Sequence, residues 1–217
     1  MAIPVRQRHP NPLAMTTSSL AHDSNNLRKW EYGNALYQGV LARYLDRMSH
    51  HVRRLSPQTV LDAGCGEGYV FRGLRDRGVH TAWEGVDFSD GAVRFAAARH
   101  PDARWSVGDL RTMTRPSRSA ELVLCSQVLE HIPEPERVRD ELARVSARWL
   151  LISVPLEPVF RSICSLTIAT GIGQDPGHVN FWTPRAFRKF LGPVGRLAHW
   201  EWTSVYQIAL VEVTARG

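Results

Sequence analysis

The chain has 217 residues, 43% of them apolar and 22% charged, the composition of an ordinary globular protein with enough length for one domain and a full-sized core. Its net charge of +6 is carried almost wholly by arginine, and these arginines are scattered among acids with no basic stripe interleaved with aromatics, so nucleic acid is not an expected partner. Cys65, Cys125 and Cys164 stand far apart without a C-x-x-C pair, which argues against a disulfide framework or a structural metal site and for a reducing, cytoplasmic setting.

Residues 1–24, rich in Pro, Ser, Thr and Arg, read as a flexible tail without the apolar core of a signal peptide, and Met15 within it is a second candidate start. No apolar run reaches the roughly 18 residues that a membrane span needs. A single domain then covers 25–217. It opens with a helical cap (25–56) in which Leu36, Val40, Leu41, Tyr44, Leu45 and Met48 fall on one helical face.

Short apolar runs next alternate with helical patterns. "TVLDAG" is a strand, "YVFRGLRDRG" a helix stopped by Gly78, and "TAWEGVD" a second strand. "DGAVRFAAARH" is a helix with Ser89 as its N-cap, "ARWSVGD" a third strand, and "AELVLCSQ" a fourth, apolar throughout like a strand buried on both faces. Cys125, within that run, reads as a small core residue. "EPERVRDELARVSA" is a helix and "RWLLISVP" the fifth strand. Such alternation predicts a doubly wound, mostly parallel sheet with helices on both faces. After the helix "TPRAFRKFLG", the segments "RLAHWEWTS" and "VYQIALVEVT" follow with almost no gap. Strands joined so tightly must be antiparallel, so the seven-stranded sheet should end in a hairpin. The stretch 156–182 is too long for a plain loop. It reads as a substrate-side insert in which Phe160, Ile163, Leu166 and Thr167 share a helical face; it could equally cover the core or touch a membrane surface.

Ligands of open α/β sheets bind beyond the carboxyl ends of the strands. The sequence "VLDAGCGEGYV" lies there, with Gly64, Gly66 and Gly68 letting the backbone turn and approach a ligand. A pyrophosphate turn would read G-x-G-x-x-G. Here Asp62 precedes the turn and Glu67 sits inside it, and two carboxylates suit a ligand with a cationic end.

These residues resemble the class I S-adenosylmethionine-dependent methyltransferases, and "GHVNFWTP" farther along, a Gly-His followed by an aromatic before a helix, resembles the bacterial small-molecule enzymes related to the ubiquinone pathway. "VLDAGCGEGYV", with Cys65 inside the turn, is similar to the family's first motif. "EGVDFS" is similar to its second, in which Asp87 would accept from both ribose hydroxyls and Phe88 would lie against the adenine. "GDL" would supply Asp109 to the exocyclic amine and the Leu110 backbone N–H to the ring. "LCSQVLEHIPEPERVRDELARV" resembles the fourth-strand motif, where Ser126, Gln127 and Val128 would line the methionine end and Glu130-His131 open the next helix. The implied cofactor is S-adenosyl-L-methionine, with a Rossmann-like fold.

His131 in "LEHIP" and His178 in "GHVNFWTP" are the two candidate bases for a hydroxyl or phenol acceptor. The resemblance also brings the cap helix over the cofactor, with Arg28 able to meet the methionine carboxylate beside Trp30 and Tyr32. His199, inside a strand beside Trp200, reads as structural. The expected activity is methylation of a small molecule, at oxygen by preference. Nitrogen, carbon, or lipid- and sugar-linked acceptors stay open, as do an RNA or protein methyltransferase and a non-catalytic cofactor-binding protein. A monomer or a homodimer fits equally.

Overall fold

The structure, a computed structural model, describes residues 35–169 and 177–214. The 1–24 tail, Arg28, Trp30 and Tyr32 lie outside the described residues, as does 170–176 of the insert.

Helix α1 (Ala35–Leu55) precedes β1 (Thr59–Ala63), α2 (Tyr69–Arg75), β2 (Ala82–Asp87), α3 (Asp90–Arg99), β3 (Arg104–Val107) and β4 (Ala120–Ser126). Then come a 3-10 turn (Leu129–His131), α4 (Pro135–Val145), β5 (Ser146–Pro155), α5 (Val159–Ala169), α6 (Pro184–Leu191), β6 (Gly195–Thr203) and β7 (Tyr206–Val213). The strands form one seven-stranded sheet in the order β3-β2-β1-β4-β5-β7-β6. β1 to β5 pair in parallel, while β7 runs antiparallel to both β5 and β6. The hairpin expected from the short final connection is therefore present. The strand order reverses between β1 and β4, which opens the crevice where ligands of such sheets sit.

Alternation along β1 divides the core. Consecutive side chains of a strand face opposite ways, so Val60 and Leu61 enter different apolar layers. Leu61, Val123, Cys125 and Ile152 pack with Val138 and Leu142 of α4 and Phe187 of α6. Val60, Leu122, Leu124 and Leu151 pack with Tyr44 and Met48 of α1 and Phe71 and Leu74 of α2. Burial on both faces explains why these strands read as continuous apolar runs. Truncating a fully buried ring such as Phe187 would cost about 3–5 kcal/mol.

The ends of the helices follow their sequence signals. The Ser89 hydroxyl accepts from Ala92 N–H at 3.3 Å and caps α3. Thr183 does the same for Ala186 at 3.3 Å, ahead of Pro184 in the first turn of α6. Two details differ from expectation. Leu36 is 80% exposed, and the buried positions of α1 begin at Leu41. Glu130 and His131 form a separate 3-10 turn and do not open α4. Pro133 keeps Ile132 extended, at φ −102° and ψ 122°, so the helix restarts at Pro135.

Candidate functional site

The chain leaves β1 through Gly64, Gly66 and Gly68, at φ values of 81°, 51° and 80°. The N–H groups of Gly64 and Cys65 both donate to the Val86 carbonyl, at 2.7 and 3.1 Å, which ties the turn to the end of β2. A Cβ on Gly64 would lie 2.3 Å from Cγ2 of Val128. Glycine there lets the residue after β4 pack down on the turn, so the two strand ends flanking the switch point come together.

Asp87 closes the other side. One carboxylate oxygen accepts from Gly66 N–H and the other from Ser89 N–H, each at 2.9 Å. Both oxygens keep acceptor capacity beyond these bonds, and a vicinal diol needs two such acceptors side by side. The candidate ribose acid thus also organises the glycine turn, which the sequence did not disclose. Phe88 follows it and is 84% exposed, offering a bare ring face at the mouth of the crevice.

Asp62 is buried below the turn, and its Oδ2 has no hydrogen-bond partner. Burial, reinforced by the nearby Asp87 carboxylate, raises its pKa to about 7. Glu67 is buried beside it in the sequence of the turn. A buried carboxylate with an orphaned oxygen fits a cationic ligand and opposes a pyrophosphate. The Cys65 thiol is pushed up by burial and then by Asp62 and Asp87, so it stays protonated and serves as an apolar wall. Together, Asp62, the glycine backbone, Asp87 and Phe88 fit a cationic sulfonium nucleoside such as S-adenosylmethionine.

The remaining candidates are arranged less simply. Asp109 is held by Arg111: Oδ1 accepts from its backbone N–H at 2.8 Å and from Nε at 3.0 Å, while Oδ2 accepts from a terminal nitrogen at 2.7 Å. That pairing lowers the Asp109 pKa to about 2. The Leu110 side chain is buried in the core. Ser126 and Gln127, at the tip of β4, belong to a hydrogen-bonded cluster. The Tyr44 hydroxyl lies 2.6 Å from both Ser126 Oγ and Ser153 Oγ, and Gln127 Nε2 donates to Ser153 Oγ at 3.2 Å. Sequence reasoning treated Tyr44 only as an apolar position on a helical face. Its hydroxyl had no visible partner until the topology brought α1 over β4.

The two candidate bases meet. Their rings are edge to face with centroids 4.8 Å apart. His178 is also stacked on Phe160 of α5, at 5.1 Å and 21°. Asn180 makes the junction: its Nδ2 donates to the carbonyls of Leu129 and Ile132, at 2.9 and 2.6 Å. Val179 and Asn180 N–H both donate to the Glu130 carbonyl, at 2.8 and 3.1 Å. Asn180 was missed in the sequence, although it stands within the quoted "GHVNFW". An Asn between the apolar Val179 and Phe181, three residues beyond a glycine, is the kind of polar residue that satisfies stranded carbonyls.

Comparison with known proteins agrees with this geometry. Residues 31–195 match the family model of a methyltransferase domain. The ubiquinone biosynthesis O-methyltransferase of Nitrosomonas europaea is 31% identical over 118 residues, which are 51% of this chain and 48% of that protein. The malonyl-acyl carrier protein O-methyltransferase of Hahella chejuensis is 27% identical over 135 residues, 57% of this chain and 45% of that protein. The chain therefore spans about half the length of these curated relatives. In fold it is similar to the magnesium protoporphyrin IX methyltransferase of Synechocystis PCC 6803, solved with bound SAH. The TM-score is 0.67 at 19% identity, with 83% of this chain and 88% of that one covered. A cradle suited to a sulfonium nucleoside, this sheet order and a match over most of the length agree: the chain belongs to the methyltransferase-domain family.

Proposed function

We propose that this chain methylates a hydroxyl or phenol oxygen of a small-molecule acceptor and that His131 takes the acceptor's proton. The contact that carries the reading is His131 Nδ1 against the Gly177 carbonyl, at 3.3 Å. A carbonyl only accepts, so Nδ1 carries the hydrogen and Nε2 carries the lone pair. Bound S-adenosylmethionine supplies an electrophilic methyl group. The chain's own part is to hold that donor through Asp62, the glycine turn and Asp87, and to accept a proton at His131 Nε2.

The surroundings support that division. Donor atoms of Glu130, His131 and His178 lie within 4.8 Å of one another, so the buried Glu130 side chain can stabilise an imidazolium at His131. His178 and Phe160 form an aromatic wall, extended by Phe181, whose ring lies under the Arg161 guanidinium at 4.9 Å. Such a wall suits an aromatic or apolar acceptor. His178 is then a positioning residue, its ring committed to stacking. None of the described helices is long and apolar enough to cross a membrane.

The test is methyl transfer from S-adenosylmethionine to a panel of phenols and catechols. His131→Ala should lower kcat by about 10²–10⁴-fold and abolish the limb of the pH profile near neutrality, with cofactor affinity unchanged. His178→Ala should raise the acceptor KM more than it lowers kcat. A wild-type pH profile in His131→Ala would remove that residue as the base.

A further inference from the structure

On the opposite end of α1 from the described start, a second group of ligating side chains lies outside the methyl-transfer site. His51 belongs to α1, and His199 and Glu201 to β6, the edge strand of the sheet. One ligand atom from each lies within 4.8 Å of the other two. His51 Nε2 is 2.6 Å from Glu201 Oε1, and His199 Nε2 is 3.9 Å from the same oxygen. The two imidazole rings are tilted by 48° with centroids 5.0 Å apart.

We propose that His51, His199 and Glu201 form a site for a divalent transition-metal ion of the zinc class, clamping α1 to β6. Two imidazoles and one carboxylate are the donor set that zinc favours, with bonds of about 2.0–2.2 Å and a tetrahedral arrangement. Donor atoms around such an ion stand roughly 3.3 Å apart by that geometry. The observed 2.6 Å and 3.9 Å separations bracket that value, so shifts of about an ångström close the site. His51 is buried and fixed, while His199 is 45% exposed on the outer strand and has room to adjust.

The Glu201 carboxylate only accepts, so His51 Nε2 carries the hydrogen in this 2.6 Å contact, and a metal ion binding there replaces that hydrogen, which leaves the ring or moves to its Nδ1. Burial would raise Glu201, but Arg47 and His51 hold it below the usual carboxylate range. Arg47 donates through Nε to Glu201 Oε2 at 2.7 Å, which orients the carboxylate and leaves Oε1 as the ligand oxygen. Its positive charge opposes the cation, but the guanidinium is 42% exposed and therefore screened. The metal would link the cap helix to the sheet far from the sulfonium cradle, so its role is to hold α1 in place.

The full chain, without an affinity tag and stripped with a chelator, is titrated with Co²⁺ and then with competing Zn²⁺. One equivalent should bind saturably with the visible spectrum of a tetrahedral cobalt site, and Zn²⁺ should displace it. Saturating Zn²⁺ should raise Tm by on the order of 5 °C. His199→Ala, at an exposed position that leaves the core intact, should weaken Co²⁺ at least tenfold and remove the Tm shift. His178→Ala should change neither, which separates this site from the histidine pair near the methyl donor. Absence of saturable binding, or binding that persists in His199→Ala, would overturn the assignment.

Discussion

The Tyr44 phenol of α1 lies 2.6 Å from the Ser126 hydroxyl at the tip of β4, and the two residues are 82 positions apart in the chain. The same phenol reaches Ser153 on β5 at 2.6 Å, so one buried hydroxyl joins the cap helix to two neighbouring strand ends. A phenol has one hydrogen, so Tyr44 donates to one serine and accepts from the other. Burial drives its pKa upward, so it acts throughout the working range as a neutral link. Tyr44→Phe should therefore cost about 1–3 kcal/mol, because it takes one hydrogen-bond partner from each of two buried serines, leaving Ser153 with Gln127, while keeping the ring. Thermal melting should show a Tm lower by about 2–4 °C for each kcal/mol lost. An unchanged Tm would mean that the cluster contributes nothing to the seating of α1.

Asp62 is placed to trade stability for binding. Its folded-state pKa, about 7, stands above the ordinary aspartate value of 3.8. Between these values the unfolded chain has released the proton that the folded chain keeps, so stability falls as pH rises from about 4 to about 7. Above that range the ionised carboxylate is a standing cost of at most about 4 kcal/mol. Asp62→Asn should then raise Tm at pH 8 and flatten its decline across this window. The same substitution should weaken S-adenosylmethionine, because the buried anion that fits its cationic end is gone. Melting curves from pH 4 to 8, with calorimetric titration of the cofactor, check both halves. A variant less stable at pH 8 would refute the charge argument.

Much of the architecture was legible because burial on both faces writes itself into β1, β4 and β5 as continuous apolar runs. The hairpin was legible because a short connection admits only antiparallel pairing. The gathering of Asp62, the glycines and Asp87 was legible because all sit at the carboxyl ends of adjacent strands. What the sequence hid were side-chain pairings set by topology. Nothing in the spacing of Tyr44 reveals Ser126, and nothing in "GDLRT" requires Arg111 to turn back and grip Asp109 with two nitrogens. Likewise, His51 and Glu201 are 150 positions apart and meet only because β6 folds back beneath α1. Periodicity reports which face is apolar; it carries no record of which polar atom answers another across the fold.

Asp87 anchors the glycine turn, and its variants should separate that duty from the proposed hold on a ribose. Asp87→Ala removes the acceptors for Gly66 and Ser89 N–H together with those offered to a ribose. Cofactor affinity should fall by about 1–3 kcal/mol for the lost charge-assisted hydrogen bonds, and Tm should fall as well because the turn loses its anchor. Asp87→Asn keeps one acceptor oxygen and the side-chain shape. It should retain most of the Tm while still weakening the cofactor. Calorimetry and melting on the two variants provide the comparison, and full affinity in Asp87→Ala would withdraw the ribose assignment.

Gly64 tests whether the turn and the end of β4 act as one unit. Its φ of 81° lies where a Cβ is strained by about 1–2 kcal/mol, and the added carbon would stand 2.3 Å from Val128 Cγ2. The strain and the overlap have different remedies. Gly64→Ala should destabilise the chain by about 2–5 kcal/mol, the sum of the backbone term and of overpacking. Val128→Ala removes the obstructing methyl groups but cannot relieve the backbone. The double variant should therefore recover the packing part of the loss and retain the part due to φ, giving a coupling of about 1–3 kcal/mol in a double-mutant cycle. Cofactor affinity should follow the same order, because Gly64 and Val128 sit at the ends of the two strands that bound the crevice. Strict additivity of the two substitutions in denaturant unfolding would show that the turn moves away from Val128 freely, and that the contact does not shape the site.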